Sequence, residues 1–161
     1  MFRRTAETRM ADVIDGTSST VMCSEIVAGD NDNSVYRAGE VCMTAAGPGS
    51  VNLTTVATWA QTNCLPTSHL STNGNNWLGP LPTQTIFNMV ATPNWQFPTC
   101  EYGPSGYAAD RDGVFPARSR HPGGVNSAYV DGSVSFLTDN IDGTLYQALG
   151  TREGGEAVDT P

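Results

Sequence analysis

Two histidines and several aspartates are the residues of this sequence whose types could support acid–base or metal chemistry. The histidines are His69 and His121, and nine residues separate His121 from the pair Asp131-Gly132. A histidine and a carboxylate can exchange a proton or share a metal ion only where the fold brings them into contact. An extended strand between His121 and Asp131 would be on the order of 30 Å long. The two residues are therefore expected at opposite ends of one element, and a joint site is not predicted.

The element that must position both residues is a β-hairpin. Two runs that suit a pleated sheet, 125–130 and 133–138, flank Asp131 and Gly132. An Asp-Gly pair between two such runs is typical of a two-residue loop with a type I′ turn. The sequence therefore predicts a small antiparallel sheet centred on a hairpin over residues 125–138.

The predicted turn also fixes the register of the hairpin. With Asp-Gly as the whole loop, Tyr129 faces Val134 and Ser127 faces Phe136. The side chains of one face are then large and apolar, and this face is expected to lie on the core. Its members are Val125, Tyr129, Val134 and Phe136.

The same register gives His121 a structural hypothesis. It places His121 opposite Asp142, with Asp139 nearby, so we expect His121 to hydrogen-bond a carboxylate at the base of the strand and to order the turn that begins at Arg118. Asp131 is expected to serve the turn itself, because aspartate tolerates the left-handed conformation. A structural role for this motif is favoured over a catalytic one.

Two aspartate-rich stretches are candidate calcium loops. Asp30 and Asp32 alternate with asparagines, and Asp110 and Asp112 precede a glycine. Alternating oxygen-bearing side chains are typical of calcium loops, but neither stretch completes the EF-hand pattern with its glutamate at the last position. The alternative is a pair of solvated turns in which each aspartate binds its own backbone.

The three tryptophans suggest a second kind of site. Trp59, Trp77 and Trp95, with Tyr102 and Tyr107, could form a platform on which sugar rings stack. Their number resembles the content of carbohydrate-binding modules, but spacing alone does not place them on one face. Core packing is the alternative for at least two of them.

Composition excludes several classes of function. The formal charge is −8, and all eight basic residues are arginines. Without lysine there is no Schiff-base chemistry, and the acidic balance makes nucleic acid a poor partner. No G-x-S-x-G or H-E-x-x-H motif is present, so a carboxylate- or metal-dependent hydrolase is the least favoured alternative. No apolar run is long enough for a membrane helix.

The four cysteines indicate disulfides and hence an oxidising compartment. Cys23, Cys42, Cys64 and Cys100 are widely spaced and form no C-x-x-C pair, which disfavours a zinc site. Three pairings are open to them. The favoured one joins Cys64 to Cys100 and Cys23 to Cys42, and buried free thiols are the alternative.

Other elements are shorter than the hairpin. β-branched residues predict strands over 19–27 and 35–43, and 51–61 suits either a short helix or a strand. Asp142, with the Gly-Thr that follows it, can cap a helix over 145–149.

The middle of the chain, 45–118, is rich in turn signals and is predicted to be an irregular, insertion-like region tied by a disulfide. Residues 155–161 are expected to be disordered. The whole of residues 1–161 is predicted to form one β-rich α+β domain.

Three motifs resemble those of one known family. The first is DVIDGTSST at residues 12–20, and the third is ALGTREGGE at residues 148–156. Between them, His121-Pro-Gly-Gly is followed by Asp131-Gly132. In this order the motifs are similar to those of a large family of prepilin-like secreted proteins, abundant in planctomycetes and of the type IV pilin and type II secretion pseudopilin kind.

The resemblance implies a pilin-like globular head that acts through assembly and is not an enzyme. The family's basic leader and long apolar helix have no match in the sequence, so this chain is expected to be the C-terminal globular portion, located outside the cell or on its surface. The implied partners are other pilin-like subunits or cell-surface components, with a polysaccharide for the sugar-binding alternative. Major pseudopilins bind calcium near their C-terminal loops, which adds to the calcium hypothesis.

Overall fold

The computed structural model describes residues 7–103 and 111–155. Over these residues the chain is a strand-rich α+β structure, as the sequence predicted, and it has a second, mixed sheet besides the predicted antiparallel one. In chain order the elements are a 3₁₀ turn Met10–Asp12, β1 Val21–Ser24, β2 Val41–Thr44, α1 Leu53–Asn63, β3 His69–Leu70, β4 Thr99–Tyr102, β5 Gly113–Val114, β6 Gly124–Tyr129, β7 Val134–Thr138 and α2 Gly143–Leu149.

The first sheet has three antiparallel strands in the order β1-β6-β7, with the predicted hairpin supplying β6 and β7. Strand β1 is shorter than the predicted strand over 19–27. It ends at Ser24 because the carboxylate of Glu25, and not its backbone, accepts the hydrogen bond from the Asn126 N–H at 2.7 Å. The backbone carbonyl of Glu25 instead accepts from the N–H of Arg118 at 2.8 Å.

The hairpin loop has three residues and not the predicted two. The N–H of Tyr129 donates to the carbonyl of Ser133 at 2.9 Å, and the N–H of Gly132 donates to the carbonyl of Tyr129 at 3.0 Å. Gly132 has a φ of 88°. A tight turn followed by a glycine in the left-handed region is the common three-residue hairpin loop with a bulge, and Val130 is its additional residue.

The additional loop residue shifts the register by one. Val134 faces Ala128 and Phe136 faces Asn126, so the predicted pairs Tyr129–Val134 and Ser127–Phe136 are wrong. A shift of one residue moves every side chain of a strand to the opposite face.

The buried face of β7 is consequently the opposite of the predicted one. Leu137 is 1% exposed, whereas Val134 is 66% and Phe136 is 45% exposed. The prediction for β6 is confirmed, because Val125 and Tyr129 are both buried. These buried residues join β1 and α2 in one core cluster, which consists of Val21, Ala117, Val125, Tyr129, Leu137, Tyr146 and Leu149.

The second sheet has the order β3-β2-β4-β5, in which β2 and β4 are parallel and the other pairs are antiparallel. Its strand β2 is shorter than the predicted strand over 35–43. The predicted disulfide between Cys64 and Cys100 is confirmed and joins the end of α1 to β4. In its described residues, 45–103 and 111–118, the middle of the chain therefore holds one helix and three short strands within its loops.

The two helices begin at side-chain caps. Asn52 accepts hydrogen bonds from the N–H groups of Thr54 and Thr55, and Asp142 accepts from those of Thr144 and Leu145. The helix predicted over 145–149 is thus present and starts two residues earlier, and the segment 51–61 forms a helix and not a strand. Among the described residues, no helix has the length and apolar character needed to cross a membrane.

Candidate functional site

The three sequence motifs lie together in the structure and form one frame around the first sheet. Asp15 of the first motif accepts hydrogen bonds from the third: from the N–H of Gly154 at 2.8 Å, the N–H of Gly155 at 2.9 Å and the hydroxyl of Thr151 at 3.0 Å. Burial raises the pKa of Asp15, but these three donors together outweigh it and the pKa is lowered. The Asp15 carboxylate therefore fixes the segment after α2 in its ionised form.

The first motif also binds the turn of the second. The N–H of Asp131 donates to the carbonyl of Thr17 at 3.1 Å, and the N–H of Val130 donates to the carbonyl of Thr20 at 3.0 Å. The Asp131 carboxylate accepts from both the hydroxyl and the N–H of Ser133, which lower its pKa. Asp131 thus lies in the turn and binds the backbone there.

At the other end of the hairpin, His121 binds a carboxylate that the sequence interpretation missed. The Nε2 atom of His121 lies 3.1 Å from Oε1 of Glu25. The predicted partner Asp142 is instead the cap of α2, and Asp139 accepts from the side chain of Asn94 at 2.9 Å. The register prediction failed here because the ladder between β6 and β7 ends at the pair Gly124–Thr138, before His121, and Glu25 reaches His121 from just after β1. Glu25 lies within the predicted strand 19–27, and no local signal in the sequence marks it as the partner of His121.

Both carboxylate oxygens of Glu25 have partners at this end of the sheet: Oε1 lies beside Nε2 of His121, and Oε2 accepts from the N–H of Asn126. Burial raises its pKa, while the backbone and side-chain N–H groups of Asn126, followed by His121, lower it, and the net shift is downward. The turn that leads to His121 is ordered as well: the hydroxyl of Ser119 donates to the carbonyl of Gly124 at 2.6 Å and accepts from the N–H of His121 at 3.0 Å.

A groove of about 640 Å³ opens beside this turn, and we call it the arginine groove. Arg37, Arg118, Arg120, His121 and Asp139 line it, together with uncharged residues. Three of the eight arginines of the chain and one of its two histidines thus share one surface.

Arg118 is buried in the wall of the arginine groove. Its guanidinium donates to the hydroxyl of Thr99 at 3.1 Å and to the carbonyls of Trp95 and Phe97. All three acceptors are neutral, and burial lowers the pKa of Arg118. Within residues 7–103 and 111–155, no carboxylate forms an ion pair with Arg118.

The candidate calcium loop at Asp30 and Asp32 has the geometry of solvated turns. Each carboxylate accepts a backbone N–H two residues on, Asp32 N–H for Asp30 and Ser34 N–H for Asp32, both at 2.9 Å. Asp30 also pairs with Arg37. The pKa of Asp30 is lowered mainly by the N–H of Asp32, and that of Asp32 mainly by the hydroxyl of Ser34.

The second candidate loop is only partly visible. Asp110 lies outside the described residues, and the carbonyl of Asp112 accepts from the N–H of Tyr102 at 3.0 Å. Among the residues with described positions, no three His, Cys, Asp or Glu side chains are arranged to hold a metal ion.

The three tryptophans do not share an exposed face. Trp59 and Trp95 pack against the cluster around the disulfide, and Trp95 meets Phe97 edge-to-face at 5.2 Å. The indole N–H of Trp59 donates to the carbonyl of Ala46 at 2.9 Å. Trp77 is separate from both and is 76% exposed.

The predicted disulfide between Cys23 and Cys42 is wrong, because the two cysteines belong to different sheets. Cys23 is exposed on β1, whereas Cys42 is buried on β2 opposite Cys100. Both are free thiols. The reading of four cysteines as two disulfides did not take into account that two of them lie on strands of different sheets.

Cys42 belongs to a buried group of polar side chains that the sequence interpretation did not find. It lies opposite His69 in the ladder, and Nε2 of His69 lies 3.3 Å from Oε2 of Glu40. A cysteine, a histidine and a carboxylate in this order resemble the parts of a nucleophilic site. Burial, followed by the charge of Glu40, raises the pKa of Cys42 to about 12, which opposes formation of the thiolate nucleophile.

The chain is therefore an α+β domain in which three separated motifs brace one antiparallel sheet beside a disulfide-tied second sheet. A family model, SBP_bac_10, described as a protein of unknown function (DUF1559), matches residues 1–144. The chain belongs to this DUF1559 family of planctomycete-type pilin-like proteins. No curated protein and no solved structure gives a significant match.

Proposed function

We propose that this chain is a non-catalytic, pseudopilin-like domain that lies outside the cell or on its surface and acts in the assembly of a filament or surface structure. The observation that carries the proposal is that the polar groups of the three motifs bind one another and hold the fold together. Their polar groups are occupied in hydrogen bonds that hold one sheet, the hairpin turn and the segment after α2 together. Motifs of this kind preserve a shape that other subunits can contact.

The His121–Glu25 pair supports the same conclusion. A general base needs a free lone pair aimed at a substrate, with an orienting group on its other nitrogen. Glu25 divides its oxygens between His121 and the Asn126 N–H, so the pair joins the turn after Arg118 to the sheet. The pair therefore has a structural role: it holds this turn against the sheet.

The test is the assembly state of the purified chain over a wide range of concentration, followed by light scattering and electron microscopy. We expect self-association that rises with concentration and yields regular oligomers or filaments. A chain that stays monomeric throughout and whose melting temperature rises with one polysaccharide would refute the proposal and favour the sugar-binding alternative. The variant Trp77→Ala is the control for that alternative, because Trp77 is the exposed tryptophan.

A further inference from the structure

Strand β7 lies at the edge of the first sheet, and only one side of its backbone is paired. The sheet order β1-β6-β7 gives β7 a single neighbour, β6. At one end of β7 the carbonyl of Ser133 accepts from the N–H of Tyr129, and at the other end the N–H of Asp139 donates to the carbonyl of Gly123. Backbone groups of an antiparallel strand point alternately to its two sides. The odd-numbered residues of 133–139 therefore bind β6, and the even-numbered ones point outward.

The outward-pointing residues of β7 are Val134, Phe136 and Thr138. Among the residues that the structure describes, none binds the N–H groups of these three residues or the carbonyls of Val134 and Phe136. The carbonyl of Thr138 accepts from the N–H of Ile141 at 3.1 Å. The side chains of the three lie on the exposed face, where Val134 is 66% and Phe136 is 45% exposed. An unpaired backbone edge and an exposed apolar face thus coincide on the same residues.

The other edge strands are short or irregular, and β7 is neither. Strands β3 and β5 have two residues each, and the pairing of β1 with β6 is interrupted by a register shift between Val21 and Cys23. Strand β7 has five residues in continuous register with β6 and contains no proline and no charged residue. Bulges, prolines and charges are the features that prevent strand pairing at sheet edges. The edge of β7 has none of them and is open to pairing with another strand.

The strand that fits this edge is a second copy of β7. Its outward-pointing residues are spaced symmetrically about Phe136. Two antiparallel copies therefore place Phe136 opposite Phe136 and Val134 opposite Thr138, so that N–H groups face carbonyls. The exposed side chains then form an aromatic pair flanked by pairs of β-branched residues, which are favourable across strands. Because β7 is uncharged, no like charges within it oppose this pairing.

We propose that two copies of this chain associate by antiparallel pairing of β7 along its free edge, so that their first sheets become one continuous sheet. The inference rests on the proposed function, since it names one contact through which copies assemble. A contact of this symmetric kind closes at two copies, so a filament requires a further contact on another surface. One short strand gives an interface at the small end of the usual range, and association is therefore expected at high protein concentration.

Charge substitutions at Phe136 test the symmetric register. Phe136→Glu and Phe136→Lys each place like charges opposite one another, so each should lower the association constant at least about tenfold in sedimentation equilibrium. An equimolar mixture of the two variants restores association, because opposite charges then face each other. Val51→Glu and Val51→Lys are the matched controls, since Val51 is 65% exposed and lies outside both sheets. All chains carry Cys23→Ser, so that this exposed thiol cannot link copies.

Amide hydrogen exchange followed by NMR tests which backbone groups pair. In separate copies the N–H groups of Val134, Phe136 and Thr138 should exchange fast, whereas those of Ser135 and Leu137, which point to β6, are protected. As the concentration rises, protection should appear at the three outward-pointing N–H groups. An association through any other surface leaves these groups unprotected.

The expected results require that the variants fold, and melting temperatures of the Phe136 variants within a few degrees of the unaltered chain establish this. A mixture of the two variants that does not associate would exclude the symmetric register and overturn the inference. Equal loss of association in the Val51 controls would do the same. Protection of the outward-pointing N–H groups by a synthetic peptide of alternating threonine and valine, without self-association, would assign the edge to a strand of a different protein.

Failure of the inference and failure of the proposed function give different results. If the unaltered chain self-associates while the Phe136 variants associate equally well and the outward-pointing N–H groups stay unprotected, the inference fails and the proposed function stands. If the unaltered chain stays monomeric at all concentrations, both fail.

Discussion

Truncation of two neighbouring residues of β7 tests the register of the hairpin. Leu137 is 1% exposed and packs in the core cluster with Val125 and Tyr129, whereas Phe136 is 45% exposed and lies over the backbone of Gly124. Leucine-to-alanine changes at buried positions cost roughly 2–5 kcal/mol, so we expect Leu137→Ala to lower the free energy of unfolding by about 3 kcal/mol. Phe136→Ala should cost about 1 kcal/mol, because only part of the ring is removed from water.

Chemical denaturation of the two variants, followed by tryptophan fluorescence at neutral pH, measures both changes. Leu78→Ala is the matched control, since Leu78 is 74% exposed and its truncation should leave the denaturation midpoint within error of the unaltered chain. The two-residue loop places Phe136 inside and Leu137 outside. A larger cost for Phe136→Ala than for Leu137→Ala would therefore refute the three-residue loop and the face assignment that depends on it.

Three further predictions concern the cysteines and the frame of motifs. In the native chain Cys23 should react with a thiol reagent within minutes and Cys42 only after unfolding, because burial raises the pKa of Cys42 to about 12; mass mapping of the labelled peptides decides this. Replacing Cys64 and Cys100 by serine opens a loop of sequence separation 36 and should cost about 4 kcal/mol, measured by urea unfolding; a cost near zero would show that the disulfide does not restrict the unfolded chain. The pKa of Asp15 is lowered in the folded state, so its contribution to stability is complete above its unfolded pKa and is lost as pH falls through the folded value. Asp15→Asn should therefore show a smaller loss of melting temperature than the unaltered chain between about pH 5 and about pH 3, and an identical loss in both would contradict this assignment.

The sequence was informative where a signal is local. The Asp-Gly turn residues, the cap at Asp142 and the alternation of β6 depend on neighbours within a few positions, and these predictions are confirmed in element type. The register of β7 was wrong because Val130 can belong either to a strand or to a bulged loop, and only packing decides between them.

Contacts between distant segments were the part that the sequence could not provide. The motifs were visible as motifs, but the hydrogen bonds from the segment after α2 to Asp15 join residues more than a hundred positions apart. Glu25 was missed for the same reason, since nothing near it in the chain marks it as the partner of His121. The separation of Cys23 from Cys42 depends on which sheet each strand joins, and their spacing carries no information on that.

Arg118 shows how the two sheets are kept in one arrangement. Its backbone N–H donates to the carbonyl of Glu25 at the end of β1, while its guanidinium donates to the carbonyls of Trp95 and Phe97, which precede β4. Burying a guanidinium costs free energy that these neutral acceptors offset only in part, so a well-packed apolar residue could be as stable. What an apolar residue cannot supply is direction: the planar donors of arginine bind both carbonyls in only one placement of the middle segment.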